Sequence, residues 1–549
     1  MSADRLVPAL LSSLREGYSA AHLRRDAVAG LTVAIVALPL SMAIAIASGG
    51  TPAMGLYTAI VGGFFISALG GSRYQIGGPA GAFIVLVAAT VAEHGIPGMV
   101  LATMMAGVMM GAVGLLRLGS YIKFIPYPVT VGFTAGIGVI IFASQLKDLL
   151  GLTLSGPEPG PILEKLPVIW QSLPSANPVT IALAAVTIAL ILGLKKVAPK
   201  VPNLLIAVAV TTIAVAVLGL DTPTIESTFG AVPAGLPAPR LPGFDWALMV
   251  AVLPNAIAFT LLGAIEALLS AVVADSMSGK RHNSNMELVA QGVANIASGL
   301  MGGMVATGTI ARTATNVRAN AHGPVAGMLH AVFILVFMMV AAPLVGMVPL
   351  AALAGVLATV AWNMIERHAI ATLFRTSRPE SVVMMVTLLL TVFRDLTEAI
   401  VVGFALGSVL FIARMSRATG VTTPEDDGEG GQLPVDGDIL VYQIRGAFFF
   451  GAAASVGAVL ERIGDTHRAL LVDLTHIALM DTTAFNTIEG LARQAQRRGV
   501  QVMLTGTTHE QRQQLFAHGL KPPLVHYEIT TAKGLSKLRH MLDGATVAA

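Results

Sequence analysis

The sequence predicts an all-α polytopic membrane domain of fourteen spans, arranged as two inverted sets of seven, followed by a small cytosolic α/β domain. Three observations carry this. Of 549 residues, 54% are hydrophobic and only 12% charged, against about 25% charged in soluble domains. Long apolar runs recur through the first three quarters of the chain, and basic residues gather between alternate pairs of them. Two short segments, 77–83 and 306–313, look like helices that begin where a membrane helix should already be under way. Cys is absent, which excludes disulfides, thiolate catalysis and Cys-based metal or iron–sulfur sites.

Residues 1–27 are polar and basic and read as a cytosolic arm, with an amphipathic helix lying on the membrane and no cleavable signal peptide. Residues 28–415 read as the membrane domain. A spanning helix needs roughly 20 apolar residues. Candidates are 28–48, 54–70, 98–117, 125–146, 178–195, 202–220, 248–275, 286–303, 324–344, 347–364, 381–394 and 396–415. The half-length segments 79–92 and 308–320 bring the count to fourteen.

Loop charge tests that count. With the amino terminus inside, even-numbered loops should be basic. They hold Arg73; Arg117 and Lys123; Lys195, Lys196 and Lys200; Lys280 and Arg281; Arg318; Arg367, Arg375 and Arg378; Arg414 and Arg417. The outer loops hold few, such as Lys147, Lys165 and Arg240, beside Pro-rich or acidic stretches. Both termini are therefore expected in the cytosol. Residues 416–436 include the acidic, Gly-rich run Thr422–Gly431, which cannot bury a core and reads as a flexible linker. Residues 437–543 alternate strand and helix signals: strands at 439–444, 469–474 and 500–505, and a helix at 483–497 stopped by Arg498-Gly499. Residues 544–549 are a tail.

The interrupted segments carry the chemistry. In the first, Pro79 suits an opening helical turn, and Ala80, Gly81 and Ala82 let a ligand approach the backbone before Phe83. In the second, Gly308 opens the turn, Thr309 is placed to cap, Ile310 and Ala311 begin the helix, and Arg312 adds a full positive charge. The first N–H groups of a helix lack internal partners and carry partial positive charge. A small anion satisfies both needs. Paired broken spans in two halves of a membrane protein point to a substrate site at the bilayer midplane. The competing reading is a pair of Gly/Pro kinks in full-length spans. An intramembrane Arg favours the ion path.

Glu266 lies among apolar residues near midplane. It is a candidate coupling residue for H+, or for Na+ together with the hydroxyl of Ser270 one turn on. The structural alternative is an ion pair with a basic residue such as Arg312. Asp395 and Glu398 beside Arg394 read as an outer-surface cap. His94, His282 and His368 fall in loops and read as solvated. No His/Asp/Glu set has zinc-ligand spacing, so no catalytic metal is expected.

Together these residues resemble the sulfate permease family, the microbial counterparts of solute carrier family 26. The likeness covers nearly the whole chain. It rests on Ala37-Leu38-Pro39-Leu40-Ser41-Met42-Ala43, on Gly78-Pro79-Ala80-Gly81-Ala82 and on Thr307 through Asn316. It implies a uracil-permease-like fold, in which a core domain (spans 1–4 and 8–11) carries the anion against a gate domain (spans 5–7 and 12–14). It also implies a homodimer and a multi-pass place in the bacterial inner membrane. Leu40 and Ser41 would line the pocket. The family often has polar or aromatic residues where this chain has Leu40 and Ile44. In this it is similar to bacterial members that carry C4-dicarboxylates. Bicarbonate carriers of the family tend to show Asp where this chain has Glu266, and sodium coupling goes with that version. The carboxy-terminal domain resembles the STAS domain. In its soluble relatives a phosphorylated hydroxyl stands where this chain has Thr482, a candidate regulatory position. The other reading is helix capping by Asp481 or Thr482.

The expectation is a secondary active anion transporter, not an enzyme. It works by an elevator-like movement and couples a C4-dicarboxylate or sulfate to H+, with Na+-coupled bicarbonate symport as the alternative. The lipid bilayer is its setting. No cofactor and no nucleic-acid partner is expected. A channel-like anion conductor and a membrane-tethered signalling protein are rivals. A nucleobase symporter on the same fold would want an acid in the tenth span, where this chain has Arg312.

Overall fold

Apolar length sets where the helices of this chain run, and polar side chains such as Ser19, Thr51, Asn177 and Asn283 cap where several of them start. The computed structural model describes residues 6–120, 126–156, 158–199, 201–243, 245–394, 396–418, 420–422, 438–448 and 467–547. The chain divides into two compact units, Met1–Phe404 and Ala405–Ala549.

The helices are α1 (Ala9–Arg15), α2 (Ala20–Ala47), α3 (Pro52–Leu69), α4 (Gly81–Leu115), α5 (Tyr127–Leu150), α6 (Ile162–Ser172), α7 (Pro178–Val197), α8 (Asn203–Leu218) and α9 (Leu253–Ser278). They continue as α10 (Ser284–Leu300), α11 (Ile310–Arg318), α12 (Val325–Gly346), α13 (Leu350–Met364), α14 (Arg367–Thr376), α15 (Arg378–Phe393) and α16 (Leu396–Ala418). Among the described residues, nine helices are long and apolar enough to cross a membrane. All fourteen expected segments fall on helices. The third and fourth share α4, which bends at Gly95, where φ is +67°. A residue with a Cβ rarely adopts that conformation.

Helices of spans 1–4 and 8–11 pack on one another as one bundle. Those of spans 5–7, 12 and 13 form a second. Close approach in the first bundle depends on small residues. A Cβ on Gly107 would lie 2.7 Å from the Gly292 carbonyl oxygen, and one on Gly292 would lie 2.7 Å from that of Gly107. Spans four and nine therefore touch backbone to backbone.

The first span starts earlier than expected. α2 opens at Ala20, inside the stretch read as an arm, because Ser19 and His22 form a reciprocal capping box. Asp26 on α2 is fully buried. It accepts the Tyr18 hydroxyl at 2.8 Å and the backbone N–H groups of His322 and Gly323 at 2.6 and 3.1 Å. The arm is thus tied to the bundle. The Ala9 N–H donates to the Gly70 carbonyl at 2.8 Å. Glu16 pairs with Arg73, whose guanidinium holds the Glu16 carboxyl below its ordinary range. Leu11 and Leu14 on α1 stay exposed. His282 is not solvated either. Asp275 holds its ring at 2.7 Å, and its side chain is only 4% exposed. Arg394 pairs with Glu398 at 3.4 Å on an exposed surface, while Asp395 lies outside the described residues.

The second unit holds a sheet in the order β3-β4-β5-β7-β8: β3 (Gly420–Thr422), β4 (Ile439–Phe448), β5 (Ala469–Asp473), β7 (Gln501–Thr505) and β8 (His526–Glu528). β6 (Ile477–Met480) also pairs with β4. Only β3 runs antiparallel to its neighbour. The helices are α17 (Thr482–Arg497), α18 (His509–Ala517) and α19 (Thr531–Val547). Apolar clusters cover both faces of the sheet: Phe485, Ile488 and Leu515 on one, Leu535 and Leu538 on the other. The described strands meet the three expected ones. β6, β8, α18 and α19 went unread because their apolar runs are short. Most of the expected linker, 419 and 423–436, lies outside the described residues.

Candidate functional site

The two interrupted segments meet. β1 (Gly77–Gly78) and β2 (Thr307–Gly308) pair antiparallel, with Gly77 opposite Gly308 and Gly78 opposite Thr307. Each strand leads directly into a helix start. The first turn, Gly81–Phe83, follows the N-cap Ala80. α11 follows the N-cap Thr309. Pairing the strands therefore brings the two helix starts together, although 228 residues separate Gly81 from Thr309.

Neither start is capped by a side chain. Pro79 stands two residues before the first turn rather than in it. Thr309 occupies the cap position, but its hydroxyl donates to the Ile76 carbonyl at 3.4 Å, so the expected side-chain cap does not form. Among the described residues, the amides of Gly81, Ala82, Ile310 and Ala311 find no acceptor. Such orphan N–H groups are what an anion completes. Ala80, Ala82 and Phe83 are buried, Gly81 is half-buried, and Ile310 and Ala311 are exposed. Gly81 faces the second bundle, with Met364 Sδ and Ile141 Cδ1 within 4 Å of where its Cβ would stand.

Arg312 reaches across from one half to the other. It is 2% exposed. Its Nη2 donates to Ser41 Oγ at 3.1 Å and to the Pro79 carbonyl at 3.2 Å. Its Nε and Nη1 have no partner among the described residues. Ser41 is itself held by the Ala37 carbonyl at 2.7 Å, and Leu40 beside it is buried. Phe83 is fully buried and meets Phe259 edge-on at 5.9 Å.

Glu266 does not pair with Arg312. Its carboxylate has no hydrogen bond or ion pair among the described residues. Two anchors bracket it on α9. The Thr307 hydroxyl donates to the Gly263 carbonyl at 3.1 Å, and the Ser270 hydroxyl donates to Thr313 Oγ1 at 3.0 Å. Thr313 Oγ1 also accepts the Ile76 N–H at 3.1 Å. The helix stretch carrying Glu266 is thus tied at both ends to the tenth-span segment.

A polar stripe on α10 escaped sequence reasoning. Glu287, Gln291 and Asn295 recur every four residues on one face of a membrane helix, a spacing that was available to find them. Glu287 is fully buried and accepts the Ser72 N–H at 3.0 Å and Gln291 Nε2 at 3.1 Å. Asn295 clamps Ala306 from both sides, accepting its N–H and donating to its carbonyl, each at 2.8 Å. One stripe therefore fixes the loop before β1 and the residue before β2. Gln75 and His330, also fully or nearly buried beside these strands, were missed: Gln75 follows Ser72 and Arg73 in what reads as a polar loop, and His330 stands alone in apolar sequence. Asn295→Ala leaves two buried backbone groups unpaired. It is expected to cost about 3 kcal/mol, seen as a lower thermal unfolding midpoint of the purified protein; an unchanged midpoint refutes the clamp.

In the second unit, Asp481 is the N-cap of α17, and its carboxylate accepts the Ala484 N–H at 2.9 Å. Thr482 is the first helical residue and is exposed. Asp481 thus fills the capping role.

The Sulfate permease family model matches residues 23–387, and the STAS domain model matches residues 432–531. The chain is 39% identical over 507 residues to YvdB of Bacillus subtilis, which carries the provisional name of a sulfate transporter. That match covers 92% of this chain and 95% of YvdB. The chain is 32% identical over 518 residues to the bicarbonate transporter BicA of Picosynechococcus, covering 90% of each. Among solved structures, the transmembrane domain of a cyanobacterial BicA is 34% identical and covers 69% of this chain and 97% of that one, with a TM-score of 0.64. Murine solute carrier 26 family member A9, in its inward-facing state, shares the fold at 18% identity with a TM-score of 0.85, covering 97% of this chain and 94% of that one.

Proposed function

Because the chain belongs to the sulfate permease family, as a multi-pass membrane transporter with a STAS domain, we propose that it is a secondary active carrier of small oxyanions. The observation that carries the proposal is the paired, uncapped helix starts at Ala80–Phe83 and Gly308–Arg312, crossed by a buried guanidinium. Four free amides and Arg312 offer donors and positive charge to one anion. Sulfate and bicarbonate are the substrates in its relatives' names. The buried Leu40 and Ile44 keep C4-dicarboxylates in the test.

Glu266 takes up H+ as the anion binds. An uncompensated carboxylate in the membrane is costly, and among the described residues Glu266 has no cationic partner to offset it. Ser270 is engaged with Thr313, which favours H+ over a sodium ion held by Glu266 and Ser270. The movement is elevator-like: the bundle of spans 1–4 and 8–11 carries the anion past the other. The protein sits in the bacterial inner membrane with both termini in the cytosol, as a homodimer of arm, membrane domain, linker and STAS domain. Thr482 is exposed at a helix start and open to modification.

Uptake of labelled sulfate, bicarbonate and succinate into proteoliposomes, with and without H+ and Na+ gradients, tests this. One anion is expected to accumulate under an inward H+ gradient. Arg312→Gln is expected to weaken its apparent affinity about tenfold to 100-fold, the worth of one or two charge-assisted hydrogen bonds. Equal uptake with and without protein, or an unaltered affinity in the variant, overturns the site.

A further inference from the structure

The loop between α13 and α14 holds a cleft of about 870 Å³, within the ~300–1,000 Å³ typical of small-molecule sites. It lies apart from the paired helix starts. Tyr127 at the start of α5 and Trp362 near the end of α13 line it, 59% and 51% exposed. Aromatic residues of this kind belong at the lipid–water boundary, where an apolar ring meets a wet edge. α14 forms the third wall. Leu373 of α14 is buried against Val131 and Met384, with Ala369 and Ile370 packed alongside, so the helix is fixed to the bundle.

Two charges of opposite sign stand side by side in this cleft. Glu366 and Arg367 are consecutive and exposed. They do not pair with each other. Among the described residues, neither side chain makes a hydrogen bond or ion pair. Arg367 instead rests over the Trp362 ring, its Cζ 4.7 Å from the centroid. Stacking holds the guanidinium in the cleft without consuming its donors.

We propose that this cleft binds the head group of a zwitterionic phospholipid. The phosphate sits on the Arg367 guanidinium, which accommodates phosphate geometry through paired N–H donors. The lipid amine sits on the Glu366 carboxylate and against the two aromatic rings. The acyl chains run down the membrane face of the bundle. An anionic lipid fits less well, since it supplies the phosphate and leaves Glu366 facing negative charge. Arg375 of α14 and Arg378 at the start of α15 are basic too, as expected on the side of the membrane where positive charge gathers.

Native mass spectrometry of the purified full-length protein, mixed with equal amounts of phosphatidylethanolamine and phosphatidylglycerol, tests this. The first is expected to be retained at least about fivefold over the second, roughly 1 kcal/mol. Glu366→Gln is expected to bring that ratio to parity, and Arg367→Ala to lower retention of both lipids. Preferential retention of phosphatidylglycerol by the wild type, or an unchanged ratio in Glu366→Gln, overturns the proposal. Soluble phosphoethanolamine in excess should fail to displace the lipid; displacement would identify a site for a free phosphate compound and overturn the lipid assignment. Both substituted side chains are exposed, and an unchanged gel-filtration profile certifies the fold of each variant.

Discussion

Gly78→Ala is expected to abolish anion uptake. A Cβ at this position would stand 2.2 Å from Arg312 Nη1 and 3.4 Å from Ala59 Cα. Non-bonded carbon contacts are optimal near 3.5–4.0 Å, so the methyl group and the guanidinium cannot coexist. The backbone adds a second objection, since φ at Gly78 is +151°, a conformation that side chains rarely adopt. The strand cannot retreat freely, being paired to β2 on one side. Arg312 must then leave Ser41 and the Pro79 carbonyl. Losing two charge-assisted hydrogen bonds costs several kcal/mol, at about 1.5–3 each. Every 1.4 kcal/mol is about tenfold in rate, so initial uptake into proteoliposomes should fall by ~100-fold or more. Gly193→Ala is the control, because nothing lies within 4 Å of its Cβ position. Wild-type uptake by Gly78→Ala would show that the tight fit of Arg312 against the strand plays no part in transport.

Glu266→Gln is expected to uncouple the carrier. The amide is nearly the same size but cannot take up a proton, so a pH gradient should no longer drive accumulation. Moving one charge against 100 mV costs about 2.3 kcal/mol, near a fiftyfold concentration ratio, and this is the drive that the variant forfeits. Downhill anion exchange should persist, because the helix starts and Arg312 are untouched and the anchors at Gly263 and Ser270 remain. The measurement is accumulation at fixed membrane potential as the inward H+ gradient is varied, with a Na+ gradient as the parallel arm. Full gradient dependence in Glu266→Gln would transfer the coupling role to another group. Loss of Na+-driven rather than H+-driven uptake would give Glu266 the sodium role instead.

Much of this molecule was legible along the chain because its signals are local. Spans show as apolar length, and the broken helices as Gly and Pro where a helix should continue. The likeness of Gly78–Ala82 and Thr307–Asn316 to a known family followed from the same short stretches. Caps were less legible. Thr309 had the right side chain for a cap, but the nearby Ile76 carbonyl took its hydroxyl. The start of α2 was read late because Arg24, Arg25 and Asp26 look like a polar arm, while the fold buries Asp26 against two amides from the loop at 322–323.

The sequence by itself determined a membrane domain with two interrupted spans, an Arg and a Glu within apolar sequence, and a separate α/β domain. Burial in lipid and helix geometry force those features residue by residue. Only the tertiary structure decided that Gly77–Gly78 pairs with Thr307–Gly308, and that Arg312 turns toward Ser41 and Pro79 rather than toward Glu266. It also decided that Asn295 clamps Ala306, the residue before β2. Each of these joins groups far apart in the chain, or chooses among several acceptors within reach. The choice rests on which buried donors and acceptors can be satisfied together. The paired broken spans could be recognised from local sequence, but their mutual geometry needed the fold.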